Sequence, residues 1–388
     1  MRGYTAKKGN RYYAVIYEGV DPATGKERRR WYAAGPRKAD ADKLVTELVK
    51  RRHDGDYRAP EKITLGAYLT DKWLPAQRSQ LKHSTFDSYR RTIELHVVPT
   101  LGEVQLSRLR PEDLDTLYAR LLDSGRRNGA GGGLSPASVR YVHRILRKAL
   151  NDALRKGTIT RNPAATADPP RRSGGDPSEQ EMRVWTAAQL QSFLSLIASH
   201  RLAPAYILAA HTGMRRGEVL GLRWSDVDLA NSRISVRQSV IAVAYELRIS
   251  DVKTGTGRRT IDIDDAVVAQ LQAWRKRQAE ERLLVGPAFE DHGHVFARPD
   301  GRPIHPESFS RTFDRVVGRS DLPVIRPHDL RHTHASLLLQ AGVPVKVVSE
   351  RLGHASPGFT LNVYQHVIPG MQAEAAATFS RLLSATPG

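Results

Sequence analysis

The stretch HTGMRRGEVLGLRW occupies residues 211–224, between a helix expected at about 203–211 and a short helix at 218–222. Outward from it, RISVRQSV (233–240) and AYELRIS (244–250) read as strands. KTGTG then makes a turn, and RRTIDI opens another strand. Apolar periodicity predicts helices at 264–282, 306–317 and 328–341. VKVVSERLGH and PGFTLNVYQHV read as short helices joined across Gly353–Pro357. On the other side, Thr186 and Gln189 are spaced as a capping box ahead of Leu190, Phe193, Leu194 and Ile197. Residues 182–388 are therefore expected to form a mainly α domain with a small antiparallel β-sheet inserted.

The preceding segment, TADPPRRSGGDPSEQE (166–181), combines Pro, Gly, Ser and mixed charge with no apolar period, and reads as an interdomain linker. Residues 58–165 read as an all-α helical domain. Its apolar stripes include Leu65, Tyr68, Leu69 and Trp73, then Phe86, Tyr89, Ile93 and Val97. Ser135 is placed to cap a long helix with Pro136 at its first position. Val139, Val142, Ile145, Leu146, Ala149, Leu150 and Ala153 run down one side of it, and Arg140, Arg144, Arg147, Lys148 and Arg155 occupy much of the rest. Residues 1–57 read as a small α+β unit. Strands at 10–19 and 27–35 flank a turn in which Gly25 can take positive φ, and a helix with Leu44 and Leu48 inward follows. Tyr13, Val15, Trp31 and Tyr32 are expected on one packed face, with Arg28 and Arg30 on the other.

Composition narrows the function. The chain of 388 residues carries a formal charge of +19. Residues 1–60 hold +7 of it, 61–165 hold +8 and 166–388 hold +4. A globular chain this basic meets a polyanion, nucleic acid before a membrane surface. No apolar run is long enough to span a bilayer, and the amino terminus lacks a secretory signal, so a cytoplasmic, DNA-associated protein is expected. The absence of cysteine excludes disulfides, thiolate nucleophiles and Cys-ligated zinc. His292, His294 and His305 stand among Gly and Pro and read as solvated loop histidines; no metal is expected there. Basic strands and helices suit DNA contact through Arg28, Arg30, Arg140, Arg144, Arg147 and Lys148, against the plainer reading of solvated surface.

Attraction is not chemistry, which needs convergence. The candidate segments are 211–224, VKTGTG (252–257), PHDLRHTHAS (327–336), RLGH (351–354) and VYQHV (363–367). Periodicity places His328 and Arg331 on one helix face, but cannot bring the segments together.

The ordered set resembles the tyrosine recombinases of the phage-integrase type. The resemblance implies catalytic roles for Arg215, Lys253, His328, Arg331, His354 and Tyr364, with Glu218 in support. Tyr364 would attack a scissile phosphate and form a 3′-phosphotyrosyl bond without metal, ATP or other cofactor. Arg215 and Arg331 would hold the nonbridging oxygens, and Lys253 would protonate the leaving 5′-oxygen. His328 would assist proton transfer at the tyrosine, and His354 would bond to phosphate. Beside them, His332 reads as a neighbour that can hydrogen-bond near the site, and His334 as structural or solvated. Residues 58–165 resemble the family's core-site-binding domain and 1–57 the arm-binding domain of the longer integrases. The resemblance also implies double-stranded attachment sites as partners and a homotetramer on DNA, joined through a terminal helix with Met371, Ala375 and Phe379 in its stripe. A directionality factor and a DNA-bending host factor would set integration against excision. Resolution or inversion within one molecule, a type IB topoisomerase, and a noncatalytic DNA-binding regulator are the competing readings.

Overall fold

The computed structural model describes residues 3–21, 24–53, 63–127, 131–171, 183–251, 257–364 and 371–384. The chain divides into two compact units at Ser173–Gly174.

The first unit holds two separate hydrophobic cores. At its start, β1 (Gly3–Lys8), β2 (Arg11–Val20) and β3 (Glu27–Gly35) form an antiparallel sheet in that order. Helix α1 (Lys38–His53) lies over one face, with Leu44, Val45, Leu48 and Val49 packed against Ala14, Ile16 and Tyr32. Strand β1 went unread because GYTAKK lacks an apolar alternation. Gly25 takes φ +64° after β2, as the turn requires.

The register corrects one expectation. Ala14 faces Tyr32 and Val15 faces Trp31, so Tyr32 lies on the helix side while Trp31 joins Tyr13 and Val15 on the opposite side. Consecutive residues of a strand cannot share a face. The face turned from α1 carries Tyr4, Tyr13, Arg29 and Trp31, with Trp31 48% exposed and edge-on to Tyr13 at 5.8 Å. Arg30 pairs across from Ile16 on the helix side, and its Nε lies 3.0 Å from Glu18. Arg28 lies 3.5 Å from Asp21.

The second core belongs to a helical bundle. One helical run, α2 (65–77), winds as π-helix through Tyr68–Trp73, and α3 (83–101) does so through Ile93–Val97. Helices α4 (Pro111–Ser124) and α5 (Pro136–Arg155) complete it. Ser135 Oγ accepts from Ser138 N at 3.2 Å, so the expected cap forms. All seven stripe positions of α5 are buried. Its basic residues divide. Arg147 is exposed and Arg144 lies over the Tyr141 ring at 5.3 Å. Arg140 donates to the Arg171 carbonyl at 2.9 Å. Lys148, its side chain 40% exposed, donates to Gln77 Oε1 at 3.0 Å and to Asp152 at 3.3 Å, where the Trp73 indole also donates. A buried carboxylate requires such partners.

The second unit packs α6 (Ala187–Ile197), α7 (Ala203–Thr212), α8 (Arg216–Gly221), α9 (Asp265–Val285), α10 (Pro306–Val317) and α11 (Asp329–Gln340) with α12 (Val345–Leu352) and α13 (Pro357–Tyr364), and α14 (Met371–Ser384) follows. The capping box at Thr186 and Gln189 forms in both directions. Trp185, Phe193, Tyr206, Phe309 and Phe313 interlock in the main core. Strands β4 (Val227–Asp228), β5 (Arg233–Val236) and β8 (Arg259–Asp262) form one small antiparallel sheet. Between β5 and β8 the chain builds a hairpin of β6 (Gln238–Val243) and β7 (Glu246–Asp251). Its turn is Ala244–Tyr245, both at positive φ, so the strand expected from residue 244 starts two residues later. Most of the KTGTG turn lies outside the described residues.

Two further expectations change. His294 is 2% exposed, and His305 caps α10 by accepting from Glu307 N at 3.2 Å; these are not solvated loop residues. Among the described residues, no group of three or more acidic or histidine side chains is placed to hold a metal ion, and no helix is long and apolar enough to cross a membrane.

Candidate active site

Helix α7 ends at Gly213 in the left-handed region, φ +63°. A Cβ there would meet Leu352 Cδ2 at 2.6 Å and His334 Cδ2 at 2.8 Å, so only glycine lets this turn nest against α11 and α12. The chain then extends through Arg215, the residue that caps the start of α8. One turn on, the Glu218 carboxylate reaches back. It accepts the Arg215 backbone N–H at 2.9 Å, the Arg215 guanidinium at 2.8 Å and Arg259 Nη2 at 2.8 Å. Burial alone would raise the Glu218 pKa. The Arg259 hydrogen bond, with the charges of Arg259 and Arg215, outweighs burial and holds it below its ordinary value.

Helix α8 is itself seated on the hairpin. A Cβ at Gly217 would stand 2.4 Å from Ser239 Oγ and 2.7 Å from the Val240 carbonyl. At Gly221 it would meet the Val240 N at 3.0 Å. Two glycines one turn apart thus let strand β6 lie directly on the helix that begins beside Arg215.

Arg331, on the first turn of α11, is 3% exposed. It donates through Nη1 to the Gly213 carbonyl at 2.8 Å and through Nη2 to the Leu352 carbonyl at 2.7 Å. Burial first, and then the Arg215 charge, push its pKa down to about 9, which leaves it cationic at neutral pH. The Arg215 charge bears on Arg331 although Glu218 already pairs with Arg215 at 2.8 Å.

The histidines are kept neutral around this charge. His328 immediately precedes α11, and its pKa is lowered by burial and then by Arg331. His332 stands one turn further on the same face, edge-on to His328 with centroids 5.1 Å apart. Its pKa falls to about 4, through burial and then the His328 interaction. His354, beside Thr360 Oγ1 at 2.7 Å, falls to about 4 through burial, Arg331 and Arg215. Tyr364 closes α13 at 1% exposure, and burial raises its pKa to about 12 against the opposing pull of Arg331. Its hydroxyl lies 2.9 Å from His332 Nδ1.

Arg351 ties these segments together. It donates to the Asp262 carbonyl on β8 and the His211 carbonyl on α7, each at 2.9 Å, and to His334 Nε2 at 3.2 Å. His334 in turn donates from Nδ1 to the Ala210 carbonyl at 2.9 Å, which gives this buried histidine a structural duty.

Of the residues singled out in the sequence, Arg215, Glu218, His328, Arg331, His354 and Tyr364 gather within one electrostatic environment. Lys253 lies outside the described residues. Arg259 was not singled out for the site, and Arg351 entered only as part of the candidate segment RLGH, without a role. Both act by bonding to groups distant in sequence, which no local pattern reveals.

The family model described as "Phage integrase family" matches residues 183–370, and "Phage integrase, N-terminal SAM-like domain" matches 67–122. The chain belongs to the phage integrase family of tyrosine recombinases. Members cleave and rejoin DNA, typically through a phosphotyrosine intermediate, and this chain is such an enzyme. It is 26% identical over 396 residues to the "Tyrosine recombinase XerC-like" of Caldanaerobacter subterraneus subsp. tengcongensis, covering 97% of each chain. It is 27% identical over 379 residues to the "ICEBs1 integrase" of Bacillus subtilis, covering 97% of this chain and 98% of that one. In fold it is similar to the Tn1549 transposon integrase solved with a circular intermediate DNA, at a TM-score of 0.64 and 22% identity over 82% of this chain and 99% of that one.

Proposed function

We propose that Tyr364 is the nucleophile of this recombinase and that Arg215 and Arg331 bind the scissile phosphate. The observation that carries this reading is Arg331, whose charge is felt by Tyr364 and opposed by Arg215, so one phosphate can answer both cations within reach of one phenol. The Tyr364 Oη–phosphorus bond forms as the bond to the 5′-oxygen breaks. The product is a 3′-phosphotyrosyl linkage and a free 5′-hydroxyl strand. Attack by that hydroxyl, or by one from a second duplex, reverses the step and reseals DNA without ATP. Charge gathers on the nonbridging oxygens in the transition state, where two fixed guanidiniums stabilise it in the manner of an oxyanion hole. Glu218 orients Arg215 and does not attack. His354 hydrogen-bonds the phosphate, and Lys253, assigned on the family resemblance, protonates the leaving oxygen. No metal enters the scheme.

The biological act is integration or excision of a mobile element, as the names of the relatives suggest. In this reading, residues 58–165 grip the core site, with Arg140, Arg144 and Arg147 toward phosphate. Residues 1–57 bind a distal arm-type site, and 182–388 cut. The face of the N-terminal sheet turned from α1 carries exposed Trp31 and Tyr4 beside Arg29, which favours that face for the groove over the one bearing Arg28 and Arg30. Recombination proceeds in a homotetramer, with a directionality factor and a DNA-bending host protein as partners.

The test is recombination between two plasmid-borne attachment sites in cells. The wild-type chain should yield hybrid junctions, and Arg215→Ala and Arg331→Ala should abolish them while retaining core-site binding. Loss of binding in step with recombination would remove the transition-state role from the arginines.

A further inference from the structure

We propose that His332 is a catalytic residue that takes the Tyr364 proton as the phenol oxygen attacks. The inference rests on Tyr364 being the nucleophile, and it names the proton acceptor.

The argument begins with the nucleophile's chemistry. A buried phenol whose pKa is raised to about 12 is ionised to only about one part in 10⁵ at pH 7. Attack therefore needs a base in contact, with the proton leaving as the oxygen–phosphorus bond forms. His332 Nδ1 lies 2.9 Å from the Tyr364 hydroxyl, within the reach that general-base transfer requires. With the ring proton on Nε2, Nδ1 accepts the phenol O–H.

The contact is also well fixed. Tyr364 packs with Ala335 and Leu339 of α11 and with Val348 and Leu352 of α12, so the helix bearing His332 is the one against which the tyrosine rests. His328, the residue given this duty by family resemblance, stands one helical turn away and faces the edge of His332. The groups around the His332 ring are Asp329 and Arg331 from its own helix, His328 and Arg326 just before it, and Tyr364 and His354 from the elements packed on it. Together with burial they leave the imidazole neutral through the physiological range, so Nδ1 carries a free lone pair toward the phenol.

In the step proposed, the Tyr364 O–H bond breaks and its proton goes to His332 Nδ1. The freed electron pair forms the bond to phosphorus, and the phosphorus–O5′ bond breaks with its pair leaving on the 5′-oxygen. On resealing, the imidazolium returns its proton to the departing phenolate.

The experiment measures covalent-adduct formation by the full chain on nicked attachment-site DNA. The scissile bond carries a 5′-bridging sulfur, so that leaving-group protonation does not contribute to the pH dependence. Rates are followed from pH 6 to 9 for the wild type, His332→Asn, His332→Gln and His328→Gln. Asparagine keeps a hydrogen-bonding group near the position of Nδ1 but cannot take up a proton, so it preserves a purely holding role. The wild type should be flat with pH. His332→Asn and His332→Gln should be slowed at least a hundredfold at pH 7 and rise about tenfold per pH unit, because the phenol must then ionise unaided. A flat, wild-type-like His332→Asn profile would overturn the proposal, as would hydroxide dependence in His328→Gln alone. No wild-type adduct at Tyr364 would instead overturn the nucleophile assignment, and this inference with it.

Discussion

Glu218 and Arg259 form an ion pair at 2.8 Å with side chains only 2% and 6% exposed, and the same carboxylate holds Arg215. The pair joins the start of α8 to β8, and Arg259 continues the connection by donating to the Arg351 carbonyl at 2.7 Å. Breaking a buried pair by removing one partner costs about 3–5 kcal/mol, because the other charge is left uncompensated. Glu218→Ala should lower the urea stability of the full chain by about that much. It should also impair cleavage under conditions where the protein stays folded, since Arg215 loses its support. A loss below about 1 kcal/mol would show that water reaches Arg259 and that the pair is not a structural tie.

The glycine seat under α8 makes a second prediction. Gly217→Val would press on the Val240 carbonyl, which is backbone and cannot rotate away. Overpacking of this kind costs about 1–3 kcal/mol. Cleavage by Gly217→Val should fall more than core-site binding, because the helix that starts at Arg215 must shift. Wild-type cleavage at full stability would show that the hairpin yields instead.

Acid should weaken the fold of the second unit as pH falls below the ordinary histidine range. Burial, and then the Arg351 charge, push the His334 pKa down to about 3, while the unfolded chain titrates near the ordinary 6.5. Above pH 6.5 both states are neutral and the contribution is constant. Below it the unfolded chain takes up a proton that the folded chain refuses, so stability falls as pH drops toward 3, by up to about 1.4 kcal/mol per pH unit. His332 and His354, both lowered to about 4, act in the same direction. Urea midpoints measured at pH 7.5 and 5 should show the decline, and His334→Gln should make it shallower. A midpoint that rises toward pH 5 would contradict the burial of these rings.

For the N-terminal sheet, Arg29→Ala and Trp31→Ala should weaken binding to the distal site, with Arg29→Ala lowering the salt slope by about one. Arg28→Ala and Arg30→Ala should do less. The reverse order in quantitative footprinting would return the groove contact to the helix side of the sheet.

Much of this was legible in the sequence, and the exceptions share a cause. The stripe of α5, the Ser135 cap and the Thr186–Gln189 box are local patterns, repeated every turn or fixed within one, and the structure forms them as read. The strand faces were misjudged where adjacent aromatics, Trp31 and Tyr32, invited a single cluster; strand alternation already separates them, and the pairing with Val15 and Ala14 shows which of the two lies under α1. The contact of Lys148 with Gln77 joins two helices, and no pattern within one helix shows it. In the site, Arg215, Glu218 and Arg331 carry recognisable local wording. Arg259 and Arg351 reach the site through partners 41 and 140 residues away, Glu218 and His211. His332 was visible as the residue after Arg331 and four beyond His328, but its contact with Tyr364 depends on how α13 returns across α11.

The central claim is that one phenol oxygen, served by two guanidiniums, becomes bonded to the DNA backbone. A nicked attachment-site duplex that traps the cleaved strand, followed by denaturing electrophoresis and peptide mapping, addresses it in a single measurement. The expected result is a protein–DNA adduct that survives EDTA, maps to Tyr364 and disappears in Tyr364→Phe. An adduct on another residue, or none on a substrate that the protein demonstrably binds and recombines, would contradict the account.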